Sequence, residues 1–162
     1  KSDGEFTIFT DVILGDATKT KFKANSFDVV LCLDIVEHID ISKHEILIKE
    51  LKRILKPGGT LIFGSPNLAH LFSRLSFLFT GKLIRTAKIN YHPGDRPFNE
   101  YKQILRKNGF KLIKTQTLPL GVPPILQRTL NVKITKILYE FSNLISIPAF
   151  SFDNILTCKL KN

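Results

Sequence analysis

The sequence predicts an α/β fold with a mostly parallel sheet, and one central segment carries the prediction. Residues 27–33 are almost continuously apolar, which is typical of a central strand that is covered on both faces. An amphipathic segment follows, and a Lys-Pro-Gly-Gly sequence at 56–59 then leads into a second apolar run at 60–63. The order strand, helix, tight turn, strand indicates a βαβ unit whose two strands lie parallel in one sheet.

The helix between these strands has its own start and stop signals. Ser42 and Glu45 have the spacing of a capping box, in which the two side chains bind free backbone amides at a helix start. Pro57 ends the helical pattern because proline cannot continue a helix. The other elements that local patterns predict are strands at 12–14, 110–117 and 154–160 and helices at 68–80, 99–108 and 125–144. Asn99 is the expected cap of the helix at 99–108, and Gly109 is its expected stop.

Length and composition bound the possible classes of protein. With 162 residues and 43% apolar residues, the chain is long and apolar enough to form one folded core. It contains no methionine and opens on lysine, so we expect residues 1–162 to be the C-terminal portion of a single domain. The net charge is +10, but the lysines are spread along the chain, and we therefore predict no nucleic-acid binding.

Two cysteines, Cys32 and Cys158, lie in predicted buried strands and lack the spacing of zinc ligands. We interpret them as free thiols in a reducing compartment, and we predict a cytoplasmic protein without a metal site. The longest uncharged runs, such as 60–73, are interrupted, in this case by a Gly-Ser-Pro-Asn sequence at 64–67. No segment therefore offers the ~20 continuous apolar residues of a membrane-spanning helix.

Candidate binding residues follow the predicted strands directly. Ligands of open α/β sheets bind beyond the carboxyl ends of the strands. At those ends the sequence has Asp16-Ala17, Leu33-Asp34 and Ser65-Pro66-Asn67. From the residues alone, Asp16 has two interpretations: a carboxylate that binds a ligand, and a turn aspartate that accepts hydrogen bonds from its own backbone.

The motifs together resemble one protein family. Gly15-Asp16-Ala17 is followed by Asn-Ser-Phe-Asp-Val-Val at 25–30, Asp-Ile-Val-Glu-His-Ile at 34–39 and Leu-Lys-Pro-Gly-Gly-Thr-Leu-Ile at 55–62. In order and spacing, these motifs resemble the class I S-adenosylmethionine-dependent methyltransferases, closest to the small-molecule type that includes quinone-biosynthesis enzymes. The resemblance implies a Rossmann-like fold with an antiparallel C-terminal strand. It also implies that the chain is truncated at its N-terminus and lacks the glycine-rich part of the domain. The implied cofactor is S-adenosylmethionine.

The resemblance also implies roles for four residues at the strand ends. The Asp16 carboxylate would accept a hydrogen bond from the adenine amino group, and the Ala17 amide would donate one to the ring. Leu33 would border the adenosine, and Asp34 would lie near the methionine end of the cofactor. Because the glycine-rich part is missing, we expect this fragment alone to bind the cofactor poorly and to be inactive.

Two histidines are the predicted catalytic residues on the acceptor side. His38, next to Glu37, follows the central strand, and an imidazole there can take a proton from an acceptor hydroxyl because histidine ordinarily titrates near neutral pH. The alternative interpretation of His38 is a helix-end residue that only holds a loop. The stretch around His92 resembles the family's border of the acceptor pocket. Its neighbours Asp95 and Arg96 are expected to form a solvated loop pair.

The predicted function of the intact protein is methyl transfer from S-adenosylmethionine to an O, N or C nucleophile of a small-molecule acceptor. The alternative is a non-catalytic binding domain with a degenerate methyltransferase fold. A lipid-like acceptor and peripheral membrane contact are further interpretations, because the segments 68–84 and 125–152 combine apolar faces with basic residues. Burial of both segments in the core explains the same pattern and is the favoured interpretation. The sequence does not predict an oligomeric state.

Overall fold

The computed structural model describes residues 11–84, 88, 90–118, 131, 133–134, 136–137, 140 and 147–161. Its helices and strands in chain order are β1 (Phe27–Leu33), α1 (His44–Ile54), β2 (Leu55–Pro66), α2 (Leu71–Thr80), α3 (Phe98–Lys107), β3 (Phe110–Leu118) and β4 (Asp153–Leu160). Two short 3-10 turns, Val36–His38 and Ile41–Lys43, connect β1 to α1. The helix predicted at 125–144 lies mostly outside the described residues.

The four strands form one sheet in the order β1-β2-β4-β3. β1 and β2 are parallel, with Cys32 opposite Phe63. β4 is antiparallel to both β2 and β3, so β1, β2 and β3 run in one direction and β4 runs against them. This topology confirms the predicted α/β fold, a mostly parallel sheet with an antiparallel C-terminal strand.

One face of the sheet carries the core. The buried side chains on this face come from alternate positions of the strands, including Cys32, Leu61, Phe63, Leu156, Cys158 and Leu160, and they cluster with Leu47 and Leu51 of α1 and Tyr101 and Leu105 of α3. Both cysteines are free thiols, as predicted. Burial raises the pKa of the Cys32 thiol to about 12 and that of Cys158 to about 11, so both stay protonated near neutral pH.

The opposite face of the sheet is only partly covered by the described residues. Val29 and Leu31 of β1 point to this face and are exposed. The continuous apolar run of β1 had indicated a strand covered on both faces, but α1 and α3 pack against only one of them.

The strand predicted at 12–14 is wrong. Val12 and Leu14 are almost fully exposed, and no described strand pairs with this segment. An apolar segment becomes a strand only when its backbone amides and carbonyls bond to a neighbouring strand. Local composition alone could not supply that neighbour.

Two predicted helix caps are also wrong. The Asp40 Oδ1 atom accepts hydrogen bonds from the backbone amide of Ser42 at 2.8 Å and from its hydroxyl at 2.6 Å, so Ser42 belongs to the 3-10 turn before α1. α1 therefore begins without a side-chain cap. Asn99 lies inside α3, because that helix starts one residue earlier, directly after Pro97. The predicted stop at Gly109 is confirmed by its left-handed φ of +92°.

The predicted turn at 56–59 is an irregular part of β2. Leu55 pairs with Phe27 and Thr60 pairs with Val29, so β2 has more residues than β1 between these two pairs. Gly58 has a φ of +70°, a conformation that glycine adopts without steric cost. The extra residues bulge out of the sheet, and the strand continues to Pro66.

The second half of α2 is exposed, which corrects the interpretation of this segment as buried core. Ser73 is buried, and His70 and Arg74 lie against the rings of Phe152 and Phe150, respectively. Beyond these contacts, the apolar residues of the last helical turn face solvent. The first half of α2 is therefore anchored to the domain, and the second half projects from it.

Candidate functional site

The two predicted catalytic histidines meet beyond the carboxyl end of β1. His38 ends the 3-10 turn that follows β1, and its Nδ1 atom lies 3.0 Å from the carbonyl oxygen of Tyr91. The imidazole rings of His38 and His92 pack edge to face, with ring centroids 4.7 Å apart. The structure thus brings together two residues that are distant in sequence.

The contact with Tyr91 determines which nitrogen of His38 can act as a base. A carbonyl oxygen only accepts hydrogen bonds, so the Nδ1 atom must carry the proton that it donates to Tyr91. In the neutral ring the lone pair is then on Nε2. The side chain of His38 is 55% exposed, and an acceptor molecule can therefore reach it. His38 holds a loop, as its alternative interpretation proposed, and the same bond leaves Nε2 able to take a proton.

Asp95 faces His92 from a buried position. Its Oδ1 atom lies 3.5 Å from the Nδ1 atom of His92, and the residue is only 4% exposed. The expectation of a solvated pair between Asp95 and Arg96 is therefore wrong. Arg96 instead bonds to Glu100 at 2.8 Å and donates from its Nε atom to the His44 ring at 3.1 Å.

The loop that carries His92 and Asp95 is held by backbone contacts. The amide of Gly94 donates to the carbonyl oxygen of Glu37 at 2.9 Å. The hydroxyl of Tyr101, from α3, donates to the carbonyl oxygen of Gly94 at 2.7 Å. These contacts draw the loop inward, and this explains why a polar loop sequence is buried here.

A second carboxyl group, that of Glu37, completes this cluster. Its Oε1 atom is 4.0 Å from the Nε2 atom of His38, and its Oε2 atom is buried without a hydrogen-bond partner among the described residues. Burial raises the pKa of Glu37, and the negative charge of Asp34 raises it further. We use the name acceptor-side cluster for Glu37, His38, His92 and Asp95.

Leu33 and Asp34 border a small cavity of about 60 Å³ at the same edge of the sheet. Its lining residues are Leu33, Asp34, Gly64, Ser65, Asp153, Asn154 and Ile155. Asp34 has a φ of +51° and donates its amide to the carbonyl oxygen of Gly64 at 3.2 Å, so the chain turns sharply where β1 ends. Both predicted residues are exposed at the rim of this edge.

Sequence reasoning missed Asp153. This residue begins β4, and because β4 is antiparallel, its first residue lies opposite Pro66 at the carboxyl end of β2. The signal that could have found it is the predicted orientation of the last strand, since an antiparallel strand brings its amino end to the edge where parallel strands end.

Burial raises the pKa of the Asp153 carboxyl group to about 6, and the charge of Asp34 adds to the shift. In an unfolded chain an aspartate keeps an ordinary pKa near 3.8. The folded protein therefore binds more protons than the unfolded chain between about pH 4 and pH 6, and stability falls as pH rises through this window. Above about pH 6 the full cost of the buried charge is present.

We expect Asp153→Asn to raise the free energy of unfolding near neutral pH by about 1 to 2 kcal/mol, a discounted value because the carboxyl group is partly exposed to solvent. The gain should disappear near pH 4, where the native carboxyl group is protonated. Urea denaturation at both pH values measures the difference, with Asp11→Asn at an exposed position as the control. An equal effect at both pH values would contradict the assignment.

Asp16 and Ala17 line a different cavity, of about 440 Å³, which they share with Ile13, Leu14 and Phe22. The Asp16 Oδ1 atom accepts hydrogen bonds from the amide and the hydroxyl of Thr18, both at 2.8 Å, and these bonds lower the pKa of Asp16. The turn interpretation of Asp16 is thus confirmed. The four predicted cofactor residues do not share one cavity in the described part of the chain.

The residues around Asp16 suit an adenine ring in their chemistry. An exposed, ionised carboxylate can accept a hydrogen bond from an exocyclic amine. The apolar side chains of Ile13, Leu14 and Phe22 line the same cavity and can cover a flat ring. Among the described residues, no group of three or more histidine, cysteine or acidic side chains is arranged to hold a metal ion.

The comparisons with known proteins find similarity to methyltransferases. Residues 1–63 match the family model described as "Methyltransferase domain". The chain is 27% identical over 127 residues to the "Ubiquinone/menaquinone biosynthesis C-methyltransferase UbiE" of Cereibacter sphaeroides, a match that covers 69% of this chain and 50% of that protein. It is 31% identical over 93 residues to the "Ubiquinone biosynthesis O-methyltransferase" of Nitrosococcus oceani, which covers 56% of this chain and 38% of that protein.

The fold agrees with these sequence matches. The crystal structure of a SAM-dependent methyltransferase from Archaeoglobus fulgidus superposes on 97% of this chain and 69% of its own, with a TM-score of 0.57 and 18% identity. At that identity the likeness is one of fold alone. The chain spans about half the length of the Cereibacter protein that it matches.

Proposed function

We propose, from the similarity of this chain to S-adenosylmethionine-dependent methyltransferases in sequence and in fold, that the full-length protein belongs to the class I enzymes and transfers a methyl group to a small-molecule acceptor. The two curated relatives are named as methyltransferases of ubiquinone biosynthesis, one of the C type and one of the O type. Their names support an acceptor with a hydroxylated aromatic ring. Methylation at either an oxygen or a carbon of that ring is consistent with them.

The observation that carries the proposal is the base formed by His38 at the end of β1. Its Nδ1 atom is bonded to the Tyr91 carbonyl oxygen at 3.0 Å, so the neutral ring offers Nε2 to an incoming hydroxyl group. A methyl transfer to a phenolic ring needs a group that removes the hydroxyl proton, whether the new bond forms at oxygen or at carbon. The acceptor-side cluster supplies such a group.

The residues of this chain would have separate roles in binding the cofactor and in removing the acceptor proton. S-adenosylmethionine, when bound, supplies a methyl group that its sulfonium has already activated. Asp16 and Ala17 hold the adenine ring, and Asp34 lies toward the methionine end. His38 takes the acceptor proton at Nε2, and the Glu37 carboxylate, 4.0 Å away, favours the resulting positive charge when it is ionised. His92 packs against the His38 ring and limits its rotation.

Asp95 has a positioning role in this scheme. An ionised carboxylate favours a proton on the ring nitrogen that faces it, so Asp95 keeps the proton of His92 on Nδ1. His92 is thereby held in a fixed orientation against the His38 ring.

The direct test uses the full-length protein. Calorimetry measures binding of S-adenosylmethionine, and mass spectrometry follows the gain of a methyl group on a panel of hydroxylated aromatic compounds with and without an isoprenoid chain. Binding and methylation of one class of compound are the expected results. Failure to bind the cofactor contradicts the proposal and favours the alternative of a non-catalytic domain.

We expect His38→Asn to lower kcat by about 10²-fold with little change in KM for the acceptor. Asparagine keeps a donor near the position of Nδ1, so the bond to Tyr91 can persist while the base is lost. Steady-state kinetics measures the change. Tyr91→Phe is the matched control, because its exposed ring is not part of the proposed chemistry. Equal kinetics of His38→Asn and wild type would exclude His38 as the base.

A further inference from the structure

The end of α2 and the residues after it form a projecting apolar surface, which we call the apolar tip (residues 77–84). Phe77, Leu78 and Phe79 are 57%, 73% and 80% exposed, although they are consecutive large apolar residues. Leu83 and Ile84 are also exposed. A cluster of this kind on a monomer normally marks a binding surface.

The backbone folds the apolar tip into a compact projection. The amide of Gly81 closes α2 by donating to the carbonyl oxygen of Phe77 at 2.9 Å, and its φ of +68° reverses the chain. The amide of Ile84 then donates to the hydroxyl of Ser73 at 3.1 Å, so the chain returns along α2. The tip thus consists of the last turn of α2 and an extended segment that runs back beside it.

The distribution of apolar side chains around α2 distinguishes between kinds of partner. Successive residues of a helix point about 100° apart, so three consecutive residues cover more than half of the circumference. A protein partner presents one face and packs against one stripe of a helix. The interior of a lipid layer is fluid and can contact a projection on every side. The apolar side chains of the tip are spread around the helix in the way that suits such a contact.

The charge near the apolar tip indicates which kind of lipid surface it would bind. Residues 68–94 contain no acidic residue and four basic ones, Arg74, Lys82, Arg85 and Lys88. Lys82, within the tip, and Lys88 are exposed. Lysine beside exposed phenylalanine and leucine is the composition of segments that bind at the interface of anionic bilayers.

We propose that the apolar tip inserts into the headgroup region of an anionic lipid bilayer and docks the protein on the membrane surface. Among the described residues no helix has the length and apolarity to cross a bilayer, and α2 is too short to do so, which fits shallow insertion. Arg74 anchors the helix to the domain through its bond to the Ala69 carbonyl oxygen at 2.6 Å and its position over the Phe150 ring.

This surface lies on the side of the fold where the candidate site is found. Only four residues separate the carboxyl end of β2 from the start of α2, so α2 starts at the edge of the sheet that carries the acceptor-side cluster. Docking itself does not depend on methyl transfer. It can therefore be tested whether or not the proposed function is correct.

The experiment is sedimentation of the full-length protein with vesicles of phosphatidylcholine, alone or mixed with phosphatidylglycerol. We expect binding to the mixed vesicles that weakens at high salt. The double variant Phe77→Ser/Phe79→Ser should weaken that binding at least about tenfold, because two exposed aromatic side chains are lost. Lys82→Glu should weaken it several-fold through charge reversal at an anionic surface.

Two matched controls are Ile46→Ser and Lys49→Glu, at exposed positions of α1. These variants should bind vesicles as the wild type does. A fluorescent reporter, Phe79→Trp, should shift to shorter wavelength when mixed vesicles are added, after the signal of the unsubstituted protein measured in parallel is subtracted. Residues 1–162 contain no tryptophan.

Three outcomes would overturn the proposal. The first is an absence of vesicle binding by the wild type, and the second is binding that the double variant retains. The third is a blue-shifted reporter without lipid, which would mean that another part of the protein or a second copy covers the tip. Thermal melting of each variant separates lost binding from lost folding, and the exposure of the substituted residues predicts unchanged melting.

Discussion

Gly94→Ala is expected to destabilise the fold by at least about 3 kcal/mol and to release the loop that carries His92 and Asp95. An added Cβ atom at this position would collide with the backbone carbonyl oxygens of Val36 and Ile39, and it would lie 2.7 Å from the Nε2 atom of His44. Backbone atoms cannot move aside as the end of a side chain can. The loop would have to leave its place above the 3-10 turns.

The reason for glycine at this position is space and not backbone conformation. Three glycines of the described chain have left-handed φ angles, Gly58, Gly81 and Gly109, and Gly94 is not among them. The His44 ring already lies 3.1 Å and 3.0 Å from the carbonyl oxygens of Val36 and Ile39, so no room remains for a methyl group. The close approach allows the Gly94 amide to reach Glu37 and so builds the acceptor-side cluster.

Two other glycines serve as controls for this substitution. An alanine Cβ at Gly15 would meet no atom within 4 Å, and we expect no loss of stability there. Gly81 is equally open but has a φ of +68°, so Gly81→Ala should cost only about 1 kcal/mol from backbone strain. Urea denaturation of the three variants in the full-length protein gives the comparison. If Gly94→Ala unfolds at the same urea concentration as Gly15→Ala, the packing of this loop is different from that described.

Asn67→Asp is expected to destabilise the fold by about 3 to 4 kcal/mol near neutral pH, although the two side chains have the same shape. The Asn67 amide nitrogen donates to the carbonyl oxygens of Ala149 at 3.2 Å and Ser151 at 3.0 Å. Its Oδ1 atom accepts from the amides of Ala69 and Phe98, both at 3.1 Å. A carboxylate would keep the two acceptor contacts but would direct a negative oxygen at two carbonyl oxygens.

The pH dependence of this variant follows from the same contacts. The site is buried and one side of it offers only acceptors, so the introduced carboxyl group should have a raised pKa. Its protonated form can restore one donor. We therefore expect the loss of stability to become smaller as the pH is lowered toward 4. A carboxyl group whose pKa is higher in the folded than in the unfolded chain destabilises the fold less as the pH falls.

Asn99→Asp is the matched control, because this asparagine is exposed in the first turn of α3. A negative charge near a helix start is slightly favourable, so this variant should be unchanged or a few tenths of a kcal/mol more stable. Thermal and urea denaturation at acidic and neutral pH measure both variants. Equal stability of the two variants would show that Asn67 does not join the chain segments as described.

These contacts also revise the interpretation of the residues after β2. Asn67 was a candidate for ligand binding because it follows a strand end, the position at which open sheets bind their ligands. In the structure its four polar contacts are all with the backbone of this chain, and none remains for a ligand. It joins the end of β2 to the start of α3 and to the segment before β4.

The sequence by itself determined the architecture where strong local patterns exist. The apolar run of β1, the helical spacing in α1 and the stop at Gly109 each depend on residues that are close in the chain, and their elements were predicted correctly. The motifs that resemble the methyltransferase family added the expectation of an antiparallel C-terminal strand, which the sheet confirms. The elements with strong local patterns are predictable because backbone conformation responds first to neighbouring residues.

Only the tertiary structure decided which polar groups meet. The edge-to-face contact of His38 with His92 and the burial of Asp95 depend on Gly94 fitting against the 3-10 turns, a contact between distant segments. Residues 12–14 do not form a strand because a strand needs a neighbouring strand to bond with. The end of α2 is exposed because the amphipathic spacing of a helix does not determine which other element covers its apolar face. Burial and pairing are properties of the assembled surface, and no local pattern contains them.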